Sequence, residues 1–66
     1  MTFSEKVKKA REDKGISQSE LARRVGVNQR MISMMEDGYK APGLMLAKSI
    51  AKELNVSLDY LVGLEE

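Results

Sequence analysis

The sequence contains no cysteine, no histidine and no tryptophan. Without cysteine the chain forms no disulfide and offers no thiolate to zinc. Without histidine it lacks the commonest metal ligand and the usual general base at neutral pH. No clustered carboxylate or hydroxyl constellation and no Gly-rich phosphate loop takes their place. We therefore expect neither an enzyme nor a bound metal or cofactor.

Long hydrophobic runs are missing as well. No apolar stretch approaches the roughly 20 residues that a membrane span requires. The N-terminus lacks the basic segment followed by an apolar one that marks a signal peptide. We expect a cytoplasmic protein with no membrane partner and no evident small-molecule ligand. The 66 residues allow a single domain, 1–66, near the lower limit of independent folding.

Charge is distributed unevenly along the chain. Residues 1–52 contain all 11 lysines and arginines and six acidic residues, a net charge of +5. Residues 53–66 contain four acidic residues and no basic one, a net charge of −4. A basic body with an acidic end is typical of a protein that touches a polyanion with one face, although many solvated helical surfaces are also locally basic.

Helical periodicity runs through the whole chain, and no segment alternates with period two for long enough to predict a strand. Helix-capping residues mark four starts, and glycine or asparagine marks the ends. Five helices in one all-α bundle are predicted. Their start residues are Thr2 (a capping box with Glu5), Ser17 (a capping box with Glu20), Asn28, Leu44 and Ser57, and their stops include Gly15, Gly26, Gly38 and Asn55.

Gly26 separates the second and third predicted helices. Two helices joined by a three- or four-residue turn with a glycine form a helix-turn-helix unit. Winding the third helix at 3.6 residues per turn places Ile32 and Met35 towards the core and Met31 at its edge. The opposite face carries polar side chains and a flanking methionine, in the order Gln29, Arg30, Ser33, Met34 and Asp37.

The whole chain resembles the DNA-binding domain of the lambdoid-phage repressor and Cro family, also called XRE-type helix-turn-helix proteins. The resemblance rests on "SQSELARRVGVNQRMIS", on "MEDG" with Pro42 six residues after Glu36, on "SIAKELNV" and on "SLDYLV". It covers roughly residues 4–62 without a gap. It implies that the third helix is a recognition helix in the major groove and that the second crosses the DNA backbone.

Eight residues are expected to contact DNA, most of them by the resemblance, although Met34 departs from the long polar residue that the family often has at its position. Ser17 and Gln18 open the second helix, where helix N-termini favour a phosphate, and Gln18 matches a glutamine that also braces the recognition-helix glutamine. Gln29 suits adenine, Arg30 suits guanine or a phosphate, and Met34 suits a thymine methyl group. The eight expected contacts are Ser17, Gln18, Asn28, Gln29, Arg30, Ser33, Met34 and Lys40.

Other residues receive structural or solvated roles. Arg11 and Glu36 match a family pair that forms a salt bridge between the first helix and the end of the third. Family members of this kind pair through the end formed by the fourth and fifth helices, so Leu58, Tyr60 and Leu64 are the expected dimer contacts. Five basic residues are interpreted as solvated charge or long-range steering, namely Lys6, Lys8, Lys9, Arg23 and Arg24.

The sequence therefore predicts a sequence-specific, double-stranded DNA-binding transcriptional regulator. A phage or bacterial repressor or Cro-like protein, dimeric on a pseudo-palindromic operator, is the leading hypothesis, acting near the nucleoid of a bacterial or phage-infected cell. The alternative is a protein-interaction module, such as an antitoxin, because Met31, Met34 and Met45 are adaptable apolar residues. The operator sequence does not follow from the protein sequence, since DNA shape adds specificity without contacts.

Overall fold

Five helices follow one another in the computed structural model, which describes residues 1–63. They are α1 (Phe3–Asp13), α2 (Gln18–Val25), α3 (Gln29–Glu36), α4 (Leu44–Leu54) and α5 (Leu58–Val62). Helices α2 and α3 form the helix-turn-helix unit, and no strand occurs among the described residues. The prediction of an all-α, five-helix fold is confirmed.

Short polar side chains start four of the helices. Thr2, Ser17, Asn28 and Ser57 each accept a hydrogen bond from the backbone N–H three residues ahead. Such a bond satisfies one of the N–H groups that a helix start leaves without a partner. At α1 the bond is reciprocal, because the Thr2 N–H donates to Glu5 Oε1 at 2.8 Å.

The second predicted capping box is only half formed. Ser17 Oγ accepts from the Glu20 N–H at 3.0 Å, as a cap should. The Glu20 carboxylate, however, accepts hydrogen bonds from Arg23 and Arg24 instead of from the Ser17 backbone. Two guanidinium groups one turn away attract a carboxylate more strongly than one neutral N–H does. The prediction was therefore wrong for the reciprocal bond.

The turn between α2 and α3 depends on a left-handed residue. Gly26 has φ +80°, and its N–H donates to the Ala22 carbonyl to close the last turn of α2. Only two residues, Val27 and Asn28, then separate it from the start of α3. Glycine adopts this conformation without the Cβ clash that other residues meet. The chain thus turns sharply, and α3 starts as a separate, differently oriented helix.

One hydrophobic core joins all five helices. Its largest fully buried side chains come from every helix and are Val7, Leu21, Ile32, Met35, Ile50 and Leu61. Burying an aliphatic side chain of this size stabilises a fold by about 1.5–3 kcal/mol. Ile32 and Met35 lie in this core as predicted, and Met31 packs at its edge. These contacts bury one face of α3 and leave the other at the surface.

Lys6 departs from the prediction that it is a solvated charge. The residue is 3% exposed, and its Nζ donates to the Tyr60 carbonyl at 3.0 Å. The same ammonium lies 5.0 Å from the centroid of the Tyr60 ring, at the distance of a cation–π contact. Carbonyls near a helix C-terminus favour a cation, and the long apolar stem of a lysine can be buried when its charged end has a partner. Lys6 therefore connects α1 to α5.

Candidate nucleic-acid interface

Helix α3 presents a polar surface at its first turn. Gln29 and Arg30 are exposed, while Ser33 and Met34 are half-buried one turn later. Asn28, also exposed, accepts from the Met31 N–H at 2.9 Å and so caps the helix. Five of the eight expected DNA contacts thus lie together at the exposed side and start of this helix. The face offers an amide, a guanidinium, a hydroxyl and a thioether.

The opening of α2 supplies the second part of the surface. Ser17 is exposed and its Oγ lies 3.1 Å from Ser19 Oγ, while Gln18 is half-buried at the first helical position. Helix starts carry a partial positive charge and N–H groups that favour anions. The arrangement is chemically suited to a phosphate, which stays a prediction for Ser17 and Gln18.

Gln18 also bonds to a residue that the sequence did not predict as its partner. Its Nε2 donates to Glu36 Oε1 at 3.1 Å, at the last residue of α3, while the bracing of Gln29 stays a prediction. The resemblance alone does not reveal this bond, because the two residues lie 18 positions apart.

The expected ion pair between α1 and α3 is present and buried. Arg11 Nε lies 2.7 Å from Glu36 Oε2, and Arg11 Nη2 lies 3.0 Å from Glu36 Oε1. Arg11 Nη1 also donates to the Ile16 carbonyl at 2.9 Å. The hydrogen bonds that Arg11 donates to the Glu36 carboxylate raise the pKa of Arg11 above its ordinary value. With side-chain exposures of 10% and 1%, the pair attaches the end of α3 rigidly to the bundle.

A second ionic cluster lies on the exposed side of α2. Glu20 accepts hydrogen bonds from Arg23 and from Arg24, the latter at 2.8 Å. These bonds lower the pKa of Glu20 from 4.5 to about 2 and raise the pKa of Arg23. The two arginines were predicted to be solvated or steering charges. They remain at the surface, but the carboxylate between them offsets part of their positive charge.

The loop after α3 brings two further side chains to the surface. Lys40, an expected phosphate contact, is exposed. Its neighbour Tyr39 is 82% exposed, and the Tyr39 N–H donates to the Met34 carbonyl at 2.9 Å, which extends the end of α3. Sequence patterning did not single out Tyr39, since it lies in no periodic segment. The structure leaves its ring and hydroxyl available beside Lys40.

Leu58, one of the residues expected at a dimer interface, lines the same groove as Lys40, an expected phosphate contact. Leu58 and Tyr60 are half-buried and pack against the core. Leu64 lies outside the described residues. Leu58 lines an apolar groove together with Phe3, Pro42, Leu44 and Val62, and of these Leu44 and Val62 are 66% and 51% exposed.

Residues 1–63 contain neither a cluster of metal-binding side chains nor a membrane-spanning helix. No group of three or more histidine, cysteine, aspartate or glutamate residues is arranged to hold a metal ion in this part of the chain. None of the five described helices combines the length and the hydropathy of a membrane-spanning segment.

The fold and this surface define a helix-turn-helix protein, and comparison with known proteins agrees. A family model described as Helix-turn-helix matches residues 7–61, so the chain belongs to that family, which includes the lambdoid-type repressors. The crystal structure of the P22 c2 repressor in complex with a synthetic operator is similar to this chain, with a TM-score of 0.90. The two chains are 29% identical, and 94% of each is covered.

Two relatives of known sequence carry names that describe transcriptional regulators. The HTH-type transcriptional activator BcrR of Enterococcus faecalis is 35% identical over 66 residues, which are all of this chain and 32% of BcrR. The HTH-type transcriptional regulator ImmR of Bacillus subtilis (strain 168) is 30% identical over 66 residues, or 52% of ImmR. The chain thus spans about a third to about half of the length of these relatives.

Proposed function

We propose that this chain is a sequence-specific DNA-binding module of a transcriptional regulator, acting as a repressor on a pseudo-palindromic operator. The observation that carries the proposal is the two-faced α3. Its apolar face is buried through Ile32 and Met35, and its polar first turn stays exposed at Gln29 and Arg30. Because the core and a buried ion pair hold the helix, the reading side chains are presented on a rigid support.

Each exposed group on α3 has a chemical counterpart in the major groove. A glutamine amide pairs with adenine N6 and N7, and a guanidinium with guanine O6 and N7. Gln29 and Arg30 supply these groups, while Ser33 and Met34 supply a hydroxyl and a methyl-binding thioether. Phosphates on either side are the proposed partners of Ser17, Gln18, Asn28 and Lys40, whose contacts fix the register without reading the sequence.

One recognition helix reads few base pairs, which favours a dimer on two half-sites. The apolar groove beside α5 supports this part of the proposal. Leu44 and Val62 are more than half exposed there, next to half-buried Leu58. Exposed apolar side chains that border one groove are suited to contact with a second copy. Few exposed large apolar side chains border the groove, so we expect the dimer to be weak until DNA holds both copies together.

The test is selection of binding sites from a random duplex pool at about 100 mM salt, followed by titration of the enriched site across salt concentrations. We expect an enriched pseudo-palindrome and a linear fall of log affinity with log salt, with a slope of about −0.9 per neutralised phosphate. Recovery of a random pool, with equal weak binding to every duplex, would contradict a sequence-reading role and would favour a protein partner.

A further inference from the structure

The Glu36 carboxylate binds two side chains at once. Its Oε1 accepts from Arg11 Nη2 at 3.0 Å and from Gln18 Nε2 at 3.1 Å, and its Oε2 accepts from Arg11 Nε at 2.7 Å. The Glu36 side chain is 1% exposed, so neighbouring protein groups rather than bulk water satisfy it. Gln18 connects this buried charge to the opening of α2.

The chemistry of the two partners determines how the Gln18 amide is turned. An ionised carboxylate only accepts hydrogen bonds, so the NH2 group of Gln18, and not its oxygen, must face Glu36. One N–H is used in this bond. The second N–H is then the group left to donate to a phosphate, whose oxygens also only accept. Without Glu36 the amide would be free to rotate and to present its oxygen, which a phosphate repels.

We propose that Glu36 is a positioning residue for DNA binding, because it holds the Gln18 carboxamide in the orientation that leaves an N–H for a phosphate. The inference rests on the proposed function. It gives the buried ion pair a second role: the carboxylate that attaches α3 to α1 also preorganises a phosphate donor on α2. A donor already held in place loses less side-chain freedom on binding.

The orientation is tested first on the free protein, by NMR of the glutamine side-chain amides. We expect the two Gln18 N–H protons to differ widely in chemical shift, with the bonded proton protected from exchange. The exposed amide of Gln29 is the internal control and should give an ordinary pair. Glu36→Gln should reduce the chemical-shift difference between the two Gln18 protons to that of an ordinary pair and leave the Gln29 protons unchanged. If the two Gln18 protons of the wild type resemble those of Gln29 in shift and exchange, the proposal is overturned, and this result does not depend on DNA binding.

The effect on DNA is tested by a double-mutant cycle at a temperature where circular dichroism shows all variants folded. Glu36→Gln should weaken operator binding about fivefold in the wild-type background and less than about twofold in Gln18→Ala. An equal loss in both backgrounds would mean that Glu36 only supports α3, and it would overturn the positioning role. Glu12→Gln, which removes the same charge from an exposed position, measures the general electrostatic change.

Two other results remain interpretable: a Glu36→Gln variant that does not fold, and a wild type that binds no duplex selectively. If Glu36→Gln does not fold, Gln18→Asn replaces it, since the shorter side chain keeps its amide but falls short of Glu36. It should bind as weakly as Gln18→Ala, and binding equal to wild type would contradict the proposal. If the wild type binds no duplex selectively, the proposed function fails, while the amide spectrum of the free protein still decides the orientation of Gln18.

Discussion

Gln18 and Gln29 occupy equivalent positions at the start of neighbouring helices, but their surroundings differ. Gln29 is exposed at the first position of α3. Gln18 is half-buried at the first position of α2 and bonded to Glu36. A side chain that reads bases has to be accessible, whereas one that positions the protein on a phosphate benefits from being held. The two residues should therefore respond differently to the same substitution.

Gln29→Ala should relax specificity at one or two operator positions, at a cost of about 1–3 kcal/mol on the preferred site. The loss should disappear on duplexes changed at those positions, because the lost hydrogen bonds go to a particular base. Binding titrations on a panel of single-base operator variants measure this. Gln18→Ala is the control and should weaken all duplexes alike. A uniform loss for Gln29→Ala would show that it does not read a base.

Arg11→Met should lower the free energy of unfolding by about 3–5 kcal/mol, because it leaves the Glu36 charge buried without its ion-pair partner. Urea denaturation measures the change. Lys9→Met is the matched control on the same helix, since the Lys9–Asp13 pair is exposed at 56% and 66%. Its loss should cost less than about 1 kcal/mol. Similar losses for the two variants would mean that burial of the Arg11 pair contributes nothing.

At the scale of the helix, Gly26→Ala should destabilise the fold by about 1–2 kcal/mol. No atom lies within 4 Å of an added Cβ, so the cost comes from φ +80° alone. Gly43→Ser is the control, because its Cβ also meets open space while φ is −68° at the N-cap of α4. A serine there adds a capping oxygen and should be neutral or stabilising. Thermal melts compare the two variants. A Gly26→Ala variant as stable as the wild type would contradict the left-handed conformation at Gly26.

The Glu20 cluster makes the stability of α2 depend on pH. The pKa of Glu20 is lowered from 4.5 to about 2, so its ion pairs stabilise the fold fully above pH 4.5. This contribution is lost as pH falls towards 2, where the carboxylate takes up a proton. The melting temperature of Glu20→Gln should therefore lie below that of the wild type at pH 7 and approach it as the pH falls. Melting curves at low salt measure this difference. A melting-temperature difference at pH 2 as large as that at pH 7 would contradict a contribution from the Glu20 ion pairs.

Helix boundaries were largely predictable, because they depend on residues close in sequence. Thr2 and Asn28 mark starts, and Gly26 marks a stop, through bonds to backbone groups only a few residues away. The reciprocal half of the Ser17 capping box failed for an equally local reason. Arg23 and Arg24 lie one turn from Glu20 and compete for its carboxylate. A capping pattern has to be judged together with the charges that follow it.

At the scale of the whole molecule, binding to DNA should be cooperative. Two half-sites about 34 Å apart, one helical turn, should be occupied together, and insertion of half a turn should abolish the cooperativity. Leu44→Ser should weaken cooperativity without changing affinity for a single half-site, because Leu44 borders the groove beside α5. Met45→Ser, 75% exposed and outside that groove, is the control. Equal effects of both variants would place the dimer contact elsewhere.

Contacts between distant segments were not predictable from patterning alone. The Arg11–Glu36 pair was expected only because the chain resembles a family that has it. The Gln18–Glu36 bond and the burial of Lys6 depend on how α1, α2, α3 and α5 meet in space. A lysine in an amphipathic pattern is interpreted as surface charge, since nothing near it in sequence shows the carbonyl that it will reach.

The contact between Lys6 and Tyr60 sets a practical limit for protein engineering. The ammonium, 3% exposed, donates to a carbonyl 54 residues further along the chain. A fragment that stopped before Tyr60 would remove this acceptor and the ring above the charge, and would uncover part of the core around Leu61. Fusion partners should therefore be joined beyond α5, even though the whole proposed reading surface ends some twenty residues earlier, at Lys40.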